Sequence, residues 1–273
     1  MASAANSPTT RHPAAALLQP GDPSPVAVLN PGGASPFLLI GDHAGNVIPS
    51  ALGDLGLAPA DRTRHVAWDI GIAGLGEIMA RDMDAVFVRQ IYSRLVVDCN
   101  RRPDDAGTAE TPGAVPPTSD GSPVPGNRDL SPAARQARID AIHEPYQQAI
   151  AAEIARRGAA GQETILIALH SFTPMLKDGR ARPWQVGILH HLGEAAFARA
   201  LIAALGARPG LCVGDNEPYR MDTIDYTVPR HAWSARLPYA EIEVRQDLIG
   251  DAAGQTVWAA LLANALGEAR SHI

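Results

Sequence analysis

The sequence is poor in cysteine: it has two, Cys99 and Cys212, among 273 residues. Two cysteines do not make a disulfide framework, and they show no CxxC or Cys/His spacing typical of a structural zinc site. Such sparse usage fits a reducing compartment, so we expect a cytoplasmic protein. The first 25 residues also lack a basic segment followed by an apolar one, which argues against a secretory signal.

Blocks of basic residues and long apolar runs are absent as well. The chain carries 23 basic and 29 acidic residues, for a net charge of −6, which argues against nucleic acid or an anionic membrane surface as a partner. No apolar run approaches the roughly 18 residues that span a bilayer. A hydrophobic content of 46% is nevertheless ample for a buried core.

Composition divides the chain into a tail and one domain. Residues 1–24 are rich in Ala, Pro, Ser and Thr, which predicts a flexible tail. Residues 25–273 fit a single domain. Within it, residues 104–127 are rich in Pro, Gly, Thr, Ser and Asp and predict a long loop. Loops of this length are often lids or binding loops, and a solvated insertion is the alternative.

Short apolar runs alternate with helical patterns along the domain. This alternation predicts a single three-layer α/β/α domain with a mixed, mostly parallel sheet, of the phosphorylase/hydrolase-like type. The predicted strands cover residues 26–29, 37–40, 85–88, 95–97, 164–169, 186–189, 211–213 and 239–244. The predicted helices cover residues 49–57, 70–81, 131–157, 194–205 and 255–269, with Ser131 as the cap of the third.

Two of the predicted strands are followed by histidines. His43 comes just after the apolar run that ends at Ile40, and His170 comes directly after the run that ends at Leu169. Ligands of α/β sheets bind just outside the carboxyl ends of the strands. The pattern therefore indicates two imidazoles in one crevice; two unrelated loop histidines are the alternative.

A metal-dependent hydrolase can be assembled from such residues. Catalytic zinc uses three His/Asp/Glu ligands and leaves a fourth position for water. His43, His170 and a carboxylate meet that need, and the metal would acidify water and polarise a carbonyl. Asp69, just before a predicted helix, is either this carboxylate or an ordinary helix cap. Glu243 can serve as general base, and Arg101 can hold a substrate carboxylate through two parallel hydrogen bonds.

Other chemistries have weaker support. Ser171 follows His170, but the G-x-S-x-G turn of serine hydrolases is missing. Neither a Walker motif nor G-x-G-x-x-G occurs, so a phosphate-binding loop is disfavoured.

Five motifs, in order, resemble the N-formylglutamate amidohydrolase family, and the likeness runs from about Val26 to the C-terminus. They are Asp42–Asn46 with Ile48–Pro49, Ser93–Arg101, His170–Pro174, Asp215–Tyr219 and Glu243–Ile249. The resemblance implies a fold similar to the zinc carboxypeptidases and aspartoacylase, with metal ligands at strand ends.

The resemblance also implies a set of metal ligands. By this comparison His43 and His170 bind one divalent ion, most simply zinc, although the identity of the metal stays open. In those relatives a Glu three residues after the first His is a ligand, and here Asn46 occupies that place. A neutral amide is a poor substitute for an anionic oxygen, so we predict Asp69 as the third ligand, with Asn46 as the fallback.

The remaining roles concern the substrate and the proton. The Asn100–Arg101 pair resembles the Asn–Arg pair that grips the substrate carboxylate in those relatives, and Arg94 and Ser171 are assigned to substrate binding as well. Glu243 lies where the general base of those relatives is expected. Glu241 shares its strand face and is the second choice.

The expected reaction is removal of formate from N-formyl-L-glutamate or a similar N-acyl amino acid. The alternative is a non-catalytic member that binds a carboxylate ligand. For Glu243, the alternative is a buried structural pair with Arg245, two residues further along the same strand.

Overall fold

The computed structural model describes residues 17–105, 107, 113–222 and 224–273. Most of the predicted N-terminal tail, residues 1–16, lies outside this range, as do residues 106 and 108–112 of the predicted loop. In the part of the chain that is described, no helix has the length and apolar character required to cross a membrane.

Seven strands of the described chain form a central sheet, and two short ones form a separate ribbon. The strands are β1 (Val26–Leu29), β2 (Phe37–Gly41), β3 (Val86–Gln90), β4 (Thr118–Ser119), β5 (Ser122–Pro123), β6 (Ile165–Phe172), β7 (Val186–Leu189), β8 (Val213–Asp215) and β9 (Tyr239–Arg245). The order in the sheet is β1-β3-β2-β6-β9-β7-β8. Strands β3, β2, β6 and β9 are mutually parallel, whereas β1 and β7 run antiparallel to their neighbours β3 and β9. The predicted mixed, mostly parallel sheet is confirmed.

Helices cover both faces of this sheet. They are α1 (Ile72–Asp82), α2 (Pro132–Arg138), α3 (Glu144–Ala159), α4 (Ala196–Gly206) and α5 (Ala252–Arg270). Helices α1, α4 and α5 pack together on one face, and α3 lies on the other. All five residues of β2 are buried, as expected for a parallel strand covered on both sides.

One predicted strand is wrong. Leu95–Val97 is fully buried, but it forms a turn rather than a strand. The carbonyl groups of Leu95 and Val96 accept hydrogen bonds from the side chains of Asn127 and Arg138. Because side chains replace the ladder partners, three apolar residues can be buried without strand pairing.

Two predicted helices also differ in detail. Residues 49–57 contain a single 3-10 turn, Ser50–Leu52, instead of a longer helix. The predicted helix over residues 131–157 starts as expected, with the Ser131 hydroxyl accepting from the Ala134 amide. A π-helical segment, Ile139–His143, then separates α2 from α3. A second π-helical segment, Pro229–Trp233, lies near the end of the chain.

Gly45 fixes the path of the loop that follows β2. A Cβ atom at this position would lie 1.9 Å from the carbonyl oxygen of Ile91, far inside contact distance. The loop is tied to the same backbone, since the Val47 amide donates to Ile91 O at 3.3 Å. A side chain here would push the loop away from β3 and carry His43 with it.

Candidate active site

The parallel strands β2, β6 and β9 bring polar side chains to one edge of the sheet. Asp42 and His43 follow β2, and Glu243 of β9 pairs in register with His170 of β6. We predicted that His170 comes directly after strand β6. This strand continues to Phe172, so His170 lies inside it. The extra residues keep their backbone pairing with β9, which places His170 and Glu243 side by side.

Asp69 completes a cluster with the two histidines. One ligand atom from each of His43, Asp69 and His170 lies within 4.8 Å of the other two. Asp69 Oδ2 lies 3.0 Å from His170 Nδ1 and 3.6 Å from His43 Nδ1. All three residues are buried. The helix-cap alternative for Asp69 is wrong, because Gly71 precedes α1 and its first turn has no side-chain cap.

These residues fit a bound metal ion. His43 Nδ1 is buried and has no hydrogen-bond partner within the described chain, although an unpaired buried polar atom is costly. Two imidazole nitrogens and one carboxylate are the donor set of many catalytic zinc sites. The triad therefore has the composition and the unsatisfied atom expected of a metal site.

A second carboxylate lies behind each histidine. His43 Nε2 is 2.7 Å from Asp98 Oδ1, and His170 Nε2 is 3.2 Å from Asp42 Oδ2. Because a carboxylate only accepts hydrogen bonds, His43 Nε2 donates to Asp98. In His170 the hydrogen-bonded ring nitrogen is Nδ1, which lies against Asp69 Oδ2, while Nε2 is in ion-pair contact with Asp42. Such outer partners orient metal-binding imidazoles and make them more basic.

The surrounding charges shift the titration of this cluster. Burial opposes the charged form of His170, but Glu241, Asp42 and Asp69 outweigh it and raise the pKa of this imidazole well above its usual value. Burial likewise works against the Asp98 carboxylate, but Arg94 and His43 hold its pKa well below the usual value.

Arg94 lies beside the triad. Its Nη2 atom is 2.8 Å from Asp98 Oδ2, and its Nη1 atom is 3.6 Å from Asp69 Oδ1. The side chain is 25% exposed, so it is only partly buried. Arg94 can thus neutralise the two carboxylates while presenting positive charge to a ligand.

The predicted Asn100–Arg101 pair has two different environments. The Asn100 amide is buried, and its oxygen accepts from the backbone amides of Tyr226 and Thr227 at 2.9 and 3.0 Å. Its nitrogen donates to Asp225 at 3.2 Å. Arg101 donates to the Asn100 carbonyl at 2.8 Å and lies 3.7 Å from Asp225. Asn100 therefore holds the adjacent loop, and Arg101 is the member with donors that have no partner among the described residues.

Ser171 and Asn46 make local contacts. The Ser171 hydroxyl donates to the Ile70 carbonyl at 3.0 Å, and its amide donates to Asp69 Oδ2 at 3.2 Å. The Asn46 side chain donates to the Arg62 carbonyl at 3.2 Å. The structure thus brings Ser171 to the edge of the triad through its backbone, while the Asn46 amide bonds to a neighbouring loop.

Two buried glutamates line the same strand face. Glu243 and Glu241 are 6% and 3% exposed, and one oxygen of each lacks a hydrogen-bond partner among the described residues. Burial raises the pKa of Glu243 to about 7 and raises that of Glu241 well above its usual value. Arg245 pairs with Asp247 at 2.8 Å. The alternative of a Glu243–Arg245 pair is therefore wrong.

Several polar residues near the site escaped the sequence analysis. Asp42 and Asp98 fall within two of the five motifs, but their contacts to the histidines did not follow from the sequence. Thr227 donates to Asp42 Oδ1 at 2.6 Å, and no motif marks it. Arg182 packs 5.0 Å over the Tyr219 ring and donates to its hydroxyl at 3.1 Å.

A mostly parallel α/β sheet with a His–Asp–His cluster at its strand ends defines the class: a hydrolase-like α/β protein with a candidate metal centre. A sequence profile of the N-formylglutamate amidohydrolases matches residues 35–250. The chain belongs to this family, and it is an amidohydrolase. Comparison with curated protein sequences finds no significant match.

Crystal structures similar to this chain include the following two. The gene product Atu2144 from Agrobacterium tumefaciens is 34% identical, with a TM-score of 0.87, over 94% of this chain and 98% of its own. The N-formylglutamate amidohydrolase from Ralstonia eutropha JMP134 is 20% identical, with a TM-score of 0.64, over 92% and 100% of the two chains. The second likeness supports the fold.

Proposed function

We propose that the protein hydrolyses the amide bond of an N-formyl amino acid, N-formyl-L-glutamate in the first place, to the free amino acid and formate. Other N-acyl amino acids form the wider substrate class. Family membership supports amide hydrolysis of an acyl amino acid. The cluster of His43, Asp69 and His170, with a buried nitrogen that has no partner among the described residues, is the observation that carries the metal-dependent form of this reaction.

His43, Asp69 and His170 are the proposed ligands of one divalent ion, and zinc suits their nitrogen and oxygen donors. Such an ion would polarise the amide carbonyl and acidify the attacking water. Asp98 and Asp42 hold the two imidazoles with Nδ1 turned toward Asp69. Arg94 offsets the negative charge of Asp98 and Asp69, which favours the close approach of these two carboxylates at the site.

Glu243 is the proposed general base and proton shuttle. It lies next to His170 in the β6–β9 register, and its Oε2 atom has no hydrogen-bond partner in the described part of the chain. Its burial favours proton uptake near neutral pH. One carboxylate can accept the proton of the attacking water and then donate it to the leaving amine. Glu241 has similar burial and remains the second candidate.

Arg101, Arg94, Asn100 and Ser171 are the proposed substrate-binding residues. Arg101 has guanidinium donors left for a carboxylate, and its side chain is 21% exposed. Asn100 acts by positioning Arg101, whose Nη1 atom bonds to the Asn100 carbonyl. An acidic amino acid offers two carboxylates, and two arginines at the site match that charge. Both cysteines are free, which fits the proposed cytoplasmic location.

The decisive experiment measures metal and product together. Purified protein should contain about one divalent ion per chain, and it should release formate from N-formyl-L-glutamate. His43→Ala and His170→Ala should each lose both. Full metal occupancy in either variant contradicts the ligand assignment. Bound metal with no turnover on a panel of N-formyl and N-acetyl amino acids would instead indicate a non-catalytic binding protein.

A further inference from the structure

A chain of buried hydrogen bonds leads from the candidate metal site into the core. Thr227 Oγ1 lies 2.6 Å from Asp42 Oδ1, and Gln147 Nε2 lies 3.2 Å from Thr227 Oγ1. Behind Gln147, its Oε1 atom is 2.7 Å from His231 Nε2. Thr227 and Gln147 are fully buried, and His231 is 6% exposed. Most polar groups buried in this way have at least one hydrogen-bond partner.

The donors and acceptors in this series of hydrogen bonds can be assigned from their chemistry. Gln147 Nε2 also donates to the Cys99 carbonyl at 2.9 Å, which identifies that atom as the amide nitrogen. Gln147 Oε1 is then an acceptor, so His231 Nε2 must carry a proton. Thr227 receives a hydrogen bond from Gln147, and its own single proton goes to the nearest acceptor, the Asp42 carboxylate. Every donor therefore points toward Asp42.

Asp42 also contacts His170. Its second oxygen, Oδ2, lies 3.2 Å from His170 Nε2 as an ion-pair contact, and neither atom has a hydrogen-bond partner among the described residues. With one oxygen held by Thr227, the other is turned toward the imidazole. His43 has a different arrangement, because its partner Asp98 is held by the charged Arg94 and by the Asn100 amide.

The backbone around Thr227 is built to hold this hydroxyl in place. The Thr227 amide donates to Asn100 Oδ1 at 3.0 Å. His231 belongs to the π-helical segment Pro229–Trp233, and Gln147 follows the other one, Ile139–His143. Such segments are rare and are frequent at functional sites. The His231–Gln147 hydrogen bond joins the second segment to the first turn of α3.

We propose that Thr227, supported by Gln147, is a positioning residue for the metal ligand His170 and acts through Asp42. The hydroxyl fixes the rotation of the Asp42 carboxylate, and this carboxylate fixes the imidazole with Nδ1 directed at Asp69. This proposal rests on the proposed function, since it assumes that His170 binds the metal. Loss of an outer partner typically weakens metal binding by about 10- to 100-fold.

The test compares three variants with the full-length wild-type protein after removal of metal. Thr227→Val keeps the shape and removes the donor, and Thr227→Ser keeps the donor. Thr256→Val makes the same exchange at an exposed position of α5, where the hydroxyl bonds to the Ala252 carbonyl. Zinc affinity is measured by competition with a chromophoric chelator, and folding by circular dichroism and thermal unfolding. We expect about 10- to 100-fold weaker zinc binding in Thr227→Val alone.

The outcomes separate this proposal from the proposed function. If the wild-type protein binds no zinc, the metal centre itself is wrong and the role of Thr227 is wrong with it. If the wild-type protein binds zinc and folded Thr227→Val binds it equally well, the role of Thr227 is overturned while the metal centre stands. A lower melting temperature with unchanged zinc affinity would show a purely structural hydroxyl.

A measurement on the wild-type protein covers the case in which Thr227→Val does not fold. A hydroxyl proton held by a buried carboxylate exchanges slowly with water and gives its own proton resonance in NMR. We expect such a resonance for Thr227, and we expect its loss in Asp42→Ala, which removes the side-chain acceptor. Rapid exchange of this proton in the wild-type protein would overturn the proposal.

Discussion

Glu243 is a carboxylate placed where its charge is costly. Burial raises its pKa to about 7, so proton exchange falls within the neutral range that acid–base catalysis requires. We expect Glu243→Gln to retain its fold and its metal but to lose about 10²- to 10⁴-fold in kcat. Steady-state formate release and metal analysis on the same preparation provide the measurement.

Glu241→Gln is the matched comparison, because Glu241 shares the strand face and the burial of Glu243. Full activity in Glu243→Gln together with loss in Glu241→Gln would transfer the role to Glu241. The pH profile adds an independent check. A base must be ionised to act, so wild-type activity should fall as the pH drops through the pKa of the catalytic carboxyl.

For Arg101 we predict a role in substrate binding and not in the chemical step. Arg101→Lys keeps the positive charge but loses the planar pair of donors. We expect KM for N-formyl-L-glutamate to rise while metal content stays unchanged, because a contact equal in ground and transition states affects binding alone. Arg81→Lys, on the exposed face of α1, is the control. Wild-type kinetics in Arg101→Ala would remove Arg101 from the site.

At the scale of elements, the buried strands were predictable because their sequences are continuous apolar runs. The runs of β2, β6 and β9 could be read directly, and so could their polar ends. Leu95–Val97 has the same composition, but its carbonyls bond to Asn127 and Arg138. A strand assignment for such a triplet depends on residues far along the chain, which no local pattern contains.

In the candidate site, too, some residues were predictable from the sequence and others were not. The choice of Asp69 over Asn46 followed from ligand chemistry, and the structure places Asp69 with both histidines. Thr227 could not be predicted, because a single threonine in a loop has no spacing or motif. Its proposed role rests on a 2.6 Å contact to Asp42, 185 residues away in sequence.

Gly45, in the loop after β2, is predicted to tolerate no side chain without movement of the loop. In Gly45→Ala, the new Cβ atom would meet the Ile91 carbonyl at 1.9 Å, so the loop must move. We expect a loss of about 1–3 kcal/mol in the free energy of unfolding and weaker metal binding through displacement of His43. Urea unfolding and chelator competition measure the two effects.

Gly267→Ala is the control for this loop. Gly267 lies within α5, and a Cβ atom added there would meet no described atom within 4 Å. Gly267→Ala should increase the free energy of unfolding by about 0.5–1 kcal/mol, because alanine favours the helix more than glycine does. Equal effects at the two positions would contradict the close approach of Gly45 to Ile91.

At the scale of the whole molecule, folding concentrates charged groups at one edge of the sheet. Asp69 and Asp98 are buried beside His43 and Arg94. His231 is buried on the α3 side, where it bonds to Gln147. Because Arg94 and His43 lower the pKa of Asp98 despite its burial, this carboxylate stabilises the fold at neutral pH. That contribution is lost as the pH falls toward the lowered pKa.

His231 provides a separable part of this acid sensitivity. Burial lowers the pKa of its imidazole to about 4, whereas an unfolded histidine has a pKa of about 6.5. Between these values the unfolded state binds a proton that the folded state refuses, so the free energy of unfolding falls as the pH falls. A difference of about 2.5 pKa units corresponds to a loss of up to about 3 kcal/mol by pH 4.

His231→Gln tests this linkage. The glutamine amide can still donate to Gln147 Oε1 but does not titrate, so the variant should lose less stability than the wild-type protein between pH 7 and pH 4.5. Urea unfolding of the metal-free proteins at both pH values gives the comparison. His272→Gln, at the exposed end of the chain, controls for the removal of a histidine as such. Parallel losses in His231→Gln and the wild-type protein would show that His231 does not remain neutral in the fold.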